Sequence, residues 1–258
     1  KMTFTVDEPP NSAPTANSDS ATTIVDSGIT TNVVSNDDDP DGDSLDVTSI
    51  TNPSHGTASI SGTSNDKIQF DPGTGESGNV DITYEVSDGN GGSDTANLHV
   101  DVIPDADDAS ATTDENSTVS TSPDLDTIAS GTTLDFSATG SPPGAVTVNN
   151  DGTWTYDPNG QFEDLDTGES STDTFRYDAT DSDGDTATGT ITVTIDGVNA
   201  PPSPNADSTT INEDASTTVS VLSNDNDPEG HSLTVTNITE KPAHGEASIA
   251  EDNTTIDF

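Results

Sequence analysis

Two short acidic segments carry residues whose types and spacing could bind a metal ion. Residues 37–43 read DDDPDGD, and residues 225–231 repeat the pattern as DNDPEGH. Calcium takes about six to eight oxygen ligands, and alternating carboxylates on a loop that turns at glycine can converge on one ion. We therefore predict a calcium site in each loop. The predicted ligands are the carboxylates of these loops: Asp37, Asp39, Asp41, Asp43, Asp225, Asp227 and Glu229.

The two loops differ from an EF-hand. Thr48 in the first copy and Thr236 in the second stand at the twelfth position, where an EF-hand has a bidentate glutamate. Two carboxylates about 4 Å apart repel by ~1 kcal/mol in bulk water and by ~4 kcal/mol at an effective dielectric constant of about 20. Carboxylates crowded in one turn oppose folding unless a cation lies among them, so folding and calcium binding should be coupled. The alternative is a solvated acidic turn that attracts only diffuse counterions.

The charge balance excludes several classes of partner. The chain has 49 acidic and 4 basic residues, with a formal net charge of -45 at pH 7. Such a charge repels nucleic acid and anionic membrane surfaces unless cations intervene. The absence of cysteine excludes disulfides and thiol nucleophiles, and no apolar run is long enough to insert into a membrane. Since no nucleophile-elbow motif occurs either, we expect no catalysis.

The few apolar residues occur at alternate positions, which predicts β-strands. In VDITYEV, Val80, Ile82, Tyr84 and Val86 would lie on one face of a strand. Clusters of Gly, Pro, Asn and Asp separate such runs, as turns separate short strands. We therefore predict an all-β protein of tandem antiparallel β-sandwich modules. The same alternation occurs in residues 96–102, 134–138, 154–156, 175–177 and 191–195.

An internal repeat sets the number of modules. Residues 35–60 match residues 223–249 with one inserted residue, and the two copies begin 188 residues apart. One further module between them gives a length of about 94 residues, which suits a sandwich of about 100 residues. We predict module one at residues 13–104, module two at 105–200 and an incomplete module three at 201–258, joined by short acidic linkers. Residues 1–12 would be the closing strand of a preceding module and its linker.

The motifs also resemble known families. Modules one and three resemble bacterial cadherin-like repeats through ANSDS, SNDDDPDGDSL, HGTASI, ITYEVSDGNGG and their third-module counterparts. Module two resembles a VCBS repeat through VTVNNDGTWTYDPNGQFEDLDTGESSTDTFRYDATDSDGDTATGTITVTIDGVNAPP. The resemblance implies cadherin/Ig-like sandwiches that commonly bind calcium and that extend large secreted adhesins, often of the RTX type. Module two departs from the pattern in STSPDLDTIASGTTLDFSATG, which lacks the NDxDPDGD loop.

The junctions between modules offer a second set of acidic ligands. VTIDGVNAPP, with Asp196 and Asn199, resembles the interdomain calcium linker of cadherins, which implies an ion shared by neighbouring sandwiches. The alternative is a short proline-limited linker that is rigid without metal. The acids expected to complete the second junction are Asp181, Asp183 and Asp185, taken as the end of module two, and Glu213 and Asp214 of module three. Those expected at the first junction are Asp105, Asp107, Asp108, Asp114 and Glu115, with Asp88 of the SDGNGG turn.

The histidines and the tryptophan favour structural roles. His55 and His244 occupy equivalent turns, His99 points outward on its strand, and His231 replaces an aspartate of the first copy. Trp154 is expected in a sandwich core, and its alternative role is a platform on which a sugar stacks.

The sequence thus predicts an extracellular structural protein rather than an enzyme. Tandem sandwiches stiffened by Ca²⁺ would form a stalk at the cell surface or in a secreted protein, with the neighbouring modules and an unidentified surface ligand as partners. Three alternatives stay open. Residues 1–6, KMTFTV, could donate a strand to another copy of the chain and so build a filament. Loop tips could recognise a carbohydrate or a protein directly, and the acidity could reflect a hypersaline habitat.

Overall fold

The described part of the chain consists of β-strands and turns. The computed structural model describes residue 2 and residues 9–120, 124–127 and 129–258. Within these residues the one helical element is a 3-10 turn at Leu125–Thr127, and no helix has the length and apolar character needed to cross a membrane. The all-β expectation is confirmed. The expected closing strand at residues 1–6 lies, apart from Met2, outside the described residues.

Module one is a sandwich of two sheets. The order β1-β7-β6-β3 forms one sheet and the order β2-β5-β4 forms the other. The alternating side chains of β6 and β7 point between the sheets, and Val80, Ile82, Leu98 and Val100 have no exposed surface. The strands are β1 Asp19–Ile24, β2 Ile29–Asn32, β3 Asp46–Ile50, β4 Thr57–Ser61, β5 Lys67–Asp71, β6 Gly78–Ser87 and β7 Ser93–Ile103.

Module two repeats this architecture with its own core. The order β12-β15-β16-β9 forms one sheet, β10-β14-β13 forms the second, and β8 pairs with β11 beside them. Trp154 is fully buried and its ring lies 5.3 Å from that of Phe175, as expected for a core residue. The strands are β8 Asp105–Ala106, β9 Ala109–Asp114, β10 Val119–Ser120, β11 Ala129–Ser130, β12 Asp135–Thr139, β13 Ala145–Val148, β14 Trp154–Asp157, β15 Ser170–Thr180 and β16 Thr186–Asp196.

One strand pair in each complete module is parallel, which the antiparallel expectation did not include. In module one β1 pairs with β7, with Asp19 opposite Leu98 and Ile24 opposite Ile103. In module two β9 pairs with β16, and Asp114 lies opposite Asp196. Because the first and last strands run in the same direction, the chain enters a module at one end and leaves at the other.

Module three reproduces the corresponding half of module one. Its strands β17 Thr218–Val219, β18 Ser248–Ile249 and β19 Ile256–Asp257 pair in the order β17-β19-β18, which is the order of β2-β5-β4. The N–H of Val235 donates to the carbonyl of Asn253 at 2.7 Å, as the N–H of Val47 donates to Asn65 at 2.9 Å. The repeated sequence therefore folds into a repeated local structure.

Candidate metal sites in the acidic loops and at the junctions

The aspartate that precedes the proline closes each acidic loop. In module one Asp39 Oδ1 accepts hydrogen bonds from the N–H groups of Asp41 at 2.9 Å and Asp43 at 3.1 Å. Gly42 supplies the turn with a φ of 80°. The second carboxylate oxygen of Asp39 is buried and has no hydrogen-bond partner. The loop thus surrounds one carboxylate oxygen that has no hydrogen-bond donor.

The copy in module three has the same fold. Asp227 Oδ1 accepts a 3.0 Å hydrogen bond from the N–H of His231, and Gly230 makes the turn with a φ of 76°. Asp227 is 9% exposed.

Asp37 and Asp225 form hydrogen bonds with the segment that enters the module, and not with the acidic loop itself. Asp37 Oδ1 accepts the N–H of Asn17 at 2.7 Å, and Asp225 Oδ1 accepts the N–H of Asn205 at 2.6 Å. Burial raises the pKa of Asp37, and the neighbouring Asp19 raises it further. These two residues therefore anchor the incoming chain, although the Oδ2 atom of Asp37 also lacks a partner.

Asp88 lies at the entry end of module one, not at the first junction where the sequence placed it. Its Oδ2 atom accepts a 2.7 Å hydrogen bond from the side chain of Asn11, which lowers the pKa of Asp88. Asp43 accepts the side chain of Asn90 at 2.9 Å, and Asp41 accepts the N–H of Ser12 at 2.7 Å. The acidic loop and the SDGNGG turn therefore meet around the incoming linker.

The turn between β15 and β16 lies at the first junction rather than at the second. Asp183 Oδ2 accepts hydrogen bonds from the backbone N–H of Asn79 at 2.9 Å and from its side chain at 2.8 Å. Beside this contact the Ser77 and Thr132 hydroxyl groups each accept the other residue's N–H, at 2.9 and 3.1 Å. Modules one and two therefore contact each other directly, and these four hydrogen bonds are among the contacts between them in the described part of the chain.

Three further carboxylates crowd this first junction. Asp181 is 6% exposed, and its Oδ1 atom accepts the N–H groups of Asp183 and Asp185 at 3.1 Å each. Burial raises the pKa of Asp185, and a hydrogen bond with the carboxyl group of Asp101 on β7 raises it further. Asp181 Oδ2 and Asp101 Oδ1 are buried without a partner. The site has an excess of oxygen acceptors over donors.

Asp105 and Asp107 are exposed, and both form hydrogen bonds within their own module. Asp105 Oδ1 accepts the N–H of Ala106 at 2.9 Å, and the Asp107 carbonyl accepts the hydroxyl of Tyr177 at 2.8 Å.

Glu115 lies at the second junction, because β9 runs parallel to β16 and ends beside its last residue. Glu115 is 2% exposed; its Oε1 atom accepts the N–H of Val198 at 3.3 Å, and its Oε2 atom is buried without a partner. Burial raises the pKa of Glu115, and nearby Glu163 and Glu229 raise it further. Asp114 adds to the same effect.

Glu229 completes this group from module three. Its Oε1 atom accepts the N–H of Ala200 at 2.6 Å, which repeats the contact of Asp41 with Ser12, and its Oε2 atom is buried without a partner. Asp227, Glu229 and His231 offer one ligand atom each within 4.8 Å of one another. The second junction thus gathers acidic groups from both modules.

His231 contacts an acidic residue on each side. Its Nε2 atom lies 3.0 Å from Asp166 Oδ2 of module two, and its Nδ1 atom lies 3.4 Å from Asp227 Oδ1. The hydrogen bond lowers the pKa of Asp166 and raises the pKa of His231.

Asp196 and Asn199 lie at the second junction, whereas Glu213 and Asp214 do not. The Asp196 carbonyl accepts the N–H of Glu115 at 3.1 Å, and the Asn199 side chain donates to the Ala200 carbonyl at 3.0 Å. Glu213 and Asp214 lie together with His244, at the end of module three away from this linker.

Sequence reasoning missed Asn79, Asp101, Glu163 and Asp166, and it assigned Glu115 to the other junction. The parallel pairing of the first and last strands would have corrected Glu115. The remaining four residues are separated in sequence from their partners and carry no motif.

Comparison with protein families identifies the modules. Residues 11–101 and 199–258, more than half of the chain, match the family described as Bacterial Ig domain. The chain belongs to the bacterial Ig domain family. Residues 101–197 match the Bacterial cadherin-like domain, so the cadherin-like match falls on module two and not on the modules whose motifs suggested it. Domains of these bacterial Ig and cadherin-like families are typical of extracellular or surface proteins.

Solved structures with a detectable likeness to this bacterial Ig chain include tandem cadherin ectodomains. Mouse cadherin-23 EC22-24 is 14% identical, and the match covers 96% of this chain and 88% of the cadherin chain with a TM-score of 0.31. The human desmocollin-1 ectodomain is 14% identical, with 95% and 52% covered and a TM-score of 0.31. An endo-fucoidan hydrolase of glycoside hydrolase family 107 is 16% identical, with 74% of this chain and only 30% of that chain covered and a TM-score of 0.29. These scores carry no argument about function, and comparison with curated proteins finds no match.

Proposed function

We propose that this chain is an extender segment of a large secreted or cell-surface adhesin, stiffened by divalent cations in its acidic loops and at its junctions. The observation that carries the proposal is the set of buried carboxylate oxygens without a hydrogen-bond partner. These atoms belong to Asp37 and Asp39 in the first loop, to Asp101 and Asp181 at the first junction, and to Glu115 and Glu229 at the second.

The donor set fits calcium wherever every ligand is an oxygen. A buried acceptor without a donor costs about 1–3 kcal/mol, and more if it is charged. Calcium accepts carboxylate, carbonyl and water oxygens in a flexible geometry, so it would compensate several such atoms at once. Asp39, Asp101 and Asp181 supply carboxylate oxygens of this kind.

A cation at a junction would couple neighbouring modules. At the first junction the turn of module two contains Asp181, whereas Asp101 belongs to the last strand of module one. An ion bound by both would replace repulsion with a shared attraction and restrict the hinge. Extracellular calcium is in the range of about 10⁻³ M, at which sites of modest affinity are filled.

The segment would extend the adhesin and would not catalyse a reaction. Module two would be a VCBS-type repeat of an RTX-type adhesin, and adhesion would belong to a surface ligand outside these modules. We propose no catalytic role, and the proposal assigns the acidic clusters to cation binding.

A calcium titration tests the proposal. The full chain is first treated with a chelator, and melting temperature and small-angle X-ray scattering are then followed as calcium is added. An ion at about a hundredfold excess over its dissociation constant stabilises the fold by about 2.7 kcal/mol. We expect a higher melting temperature and a narrower distribution of lengths.

The control variants separate bound calcium from general screening of charge. Asp181→Asn removes a buried charge and should weaken the response, whereas Asp135→Asn on the exposed side of β12 should leave it unchanged. An equal melting temperature and an equally extended chain in chelator and in calcium would contradict the proposal.

A further inference from the structure

The second junction differs from the other acidic sites in one ligand type. His231 occupies the position that Asp43 has in the first loop, and its backbone N–H donates to Asp227 just as that of Asp43 donates to Asp39. An imidazole nitrogen is a poor ligand for calcium but a good one for zinc and related ions.

The distances suit two ligands of one tetrahedral ion. Zinc binds nitrogen and carboxylate oxygen at about 2.0–2.2 Å, which places two of its ligand atoms about 3.3 Å apart. His231 Nδ1 lies 3.4 Å from Asp227 Oδ1, and Glu229 has an oxygen within 4.8 Å of the ligand atoms of both.

The outer nitrogen of His231 has the partner that a metal-bound histidine usually has. Metal-ligating histidines commonly donate their second ring N–H to a carboxylate, which fixes the tautomer and orients the ring. His231 Nε2 lies 3.0 Å from Asp166 Oδ2. With Nε2 as the donor, Nδ1 is free to bind a metal. Because Asp166 belongs to module two, this contact crosses the junction.

A separate observation points to a cation-binding role for this junction. Glu115 is 2% exposed, and its Oε2 atom has no hydrogen-bond partner. Glu229 lies close enough to raise the pKa of Glu115, and its own Oε2 atom is likewise buried without a partner. Neighbouring carboxyl groups of different modules thus each have a buried oxygen without a partner at this junction, and one of the two, Glu229, belongs to the cluster that contains the imidazole.

We propose that the second junction binds a zinc-class transition-metal ion through Asp227, Glu229 and Nδ1 of His231, with Asp166 as the residue that positions the imidazole. The inference rests on the proposed function, and it gives the two junctions different metals. Calcium would stiffen the first junction, and the scarcer metal would set the rigidity of the second.

Calorimetry tests the inference: the full chain, in a buffer with saturating calcium, is titrated with zinc. We expect one tight zinc site in the native chain and a loss of about tenfold or more in affinity for His231→Asn. His231→Asp restores the residue of the first loop, so it should lose zinc and bind additional calcium. His99→Asn is the matched control, because His99 Nδ1 also contacts a carboxylate, Asp81 at 2.8 Å, outside this cluster.

Two further measurements separate zinc ligation from loss of structure. The chain has four histidines, so single substitutions assign their ring resonances, and one equivalent of zinc should shift those of His231 alone. Asp166→Asn keeps every ligand and should lower zinc affinity by about 10–100-fold through the orientation of the ring.

Equal zinc affinity of the native chain and His231→Asn, or unmoved His231 resonances, would overturn the inference. If calcium still raises the melting temperature in that case, the extender function stands and only the second metal is wrong. If calcium has no effect either, both proposals fail.

Discussion

Asp183 of module two accepts two hydrogen bonds from Asn79 of module one, one from the backbone and one from the side chain. This contact lies beside the carboxylates of Asp101 and Asp185, which repel each other when both are charged. Attraction and repulsion therefore act on the same junction, and under the proposed function a bound cation would shift the balance toward attraction.

Removal of this contact should loosen the first junction even without metal. Asp183→Ala deletes both acceptor interactions, each worth about 1 kcal/mol or less at an exposed site. We expect more independent motion of modules one and two by ¹⁵N relaxation in chelator, with unchanged melting of each module. Asp135→Ala, on the exposed side of β12, is the control; an unaltered relaxation profile for Asp183→Ala would contradict this role.

Glu115→Gln should have opposite effects in chelator and in metal. Burial and like charges raise the folded pKa of Glu115 above its ordinary value of 4.5. The ionised group therefore destabilises the metal-free fold as pH rises through the raised pKa, and this penalty is absent below the ordinary value. In chelator the variant should be as stable as the native chain near pH 3 and more stable near pH 7.

In metal the same variant should lose part of the cation-induced stabilisation, because the neutral amide is the weaker ligand. Melting curves from pH 3 to pH 7, with and without cation, measure both effects. A variant that is less stable than the native chain in chelator at pH 7 would show that Glu115 has another stabilising role.

The loop of module one offers a pair of substitutions that separates charge from hydrogen bonding. Asp39→Asn retains an oxygen that can accept the N–H groups of Asp41 and Asp43, whereas Asp39→Ala removes it. We expect Asp39→Asn to keep the loop in chelator but to lose its calcium response. Asp39→Ala should lose the loop structure as well as the calcium response, and the free energy of unfolding should fall by a further ~1 kcal/mol. Hydrogen exchange of the Asp43 N–H checks this difference; equal protection in both variants would argue against it.

Trp154→Ala should unfold module two selectively. The side chain is fully buried against Phe175, and a cavity of this size costs about 3–5 kcal/mol. The buried core of module one is a separate cluster, so its melting transition should persist. Calorimetry in calcium would show one transition lowered and the other unchanged, and a joint shift of both would indicate one cooperative unit.

Molar potassium chloride with chelator distinguishes the saline explanation of the charge from the calcium one. At 1 M salt the Debye length is about 3 Å, so salt screens the repulsion between all exposed carboxylates. A specifically bound ion acts on the buried oxygens. We expect salt to raise the melting temperature only in part, and calcium to raise it further at the same ionic strength. Full stabilisation by salt alone would favour the hypersaline reading.

Local patterns in the sequence predicted the strands and the acidic loops, whereas the composition of each junction depends on how the strands pair. The alternation in residues 80–86 identified β6 because successive side chains of a strand point to opposite faces of the sheet. The acidic loops were recognisable because Asp39 and Asp43 lie within one turn. Asp101 looked like an ordinary outward residue of a strand, and its role depends on a turn that lies about 80 residues later. Asp181 was assigned to the wrong junction because its position in sequence, unlike its position in the sandwich, is near the end of the module.

The parallel pairing of first and last strands has a mechanical consequence. The chain enters at the start of β1 and leaves at the end of β7, so tension along the protein pulls these neighbours in opposite directions. The hydrogen bonds between strands run across the direction of this pull, and those from Asp19 to Ile24 bear the load together instead of opening one by one. The same geometry recurs between β9 and β16, so each complete module resists stretching by shear.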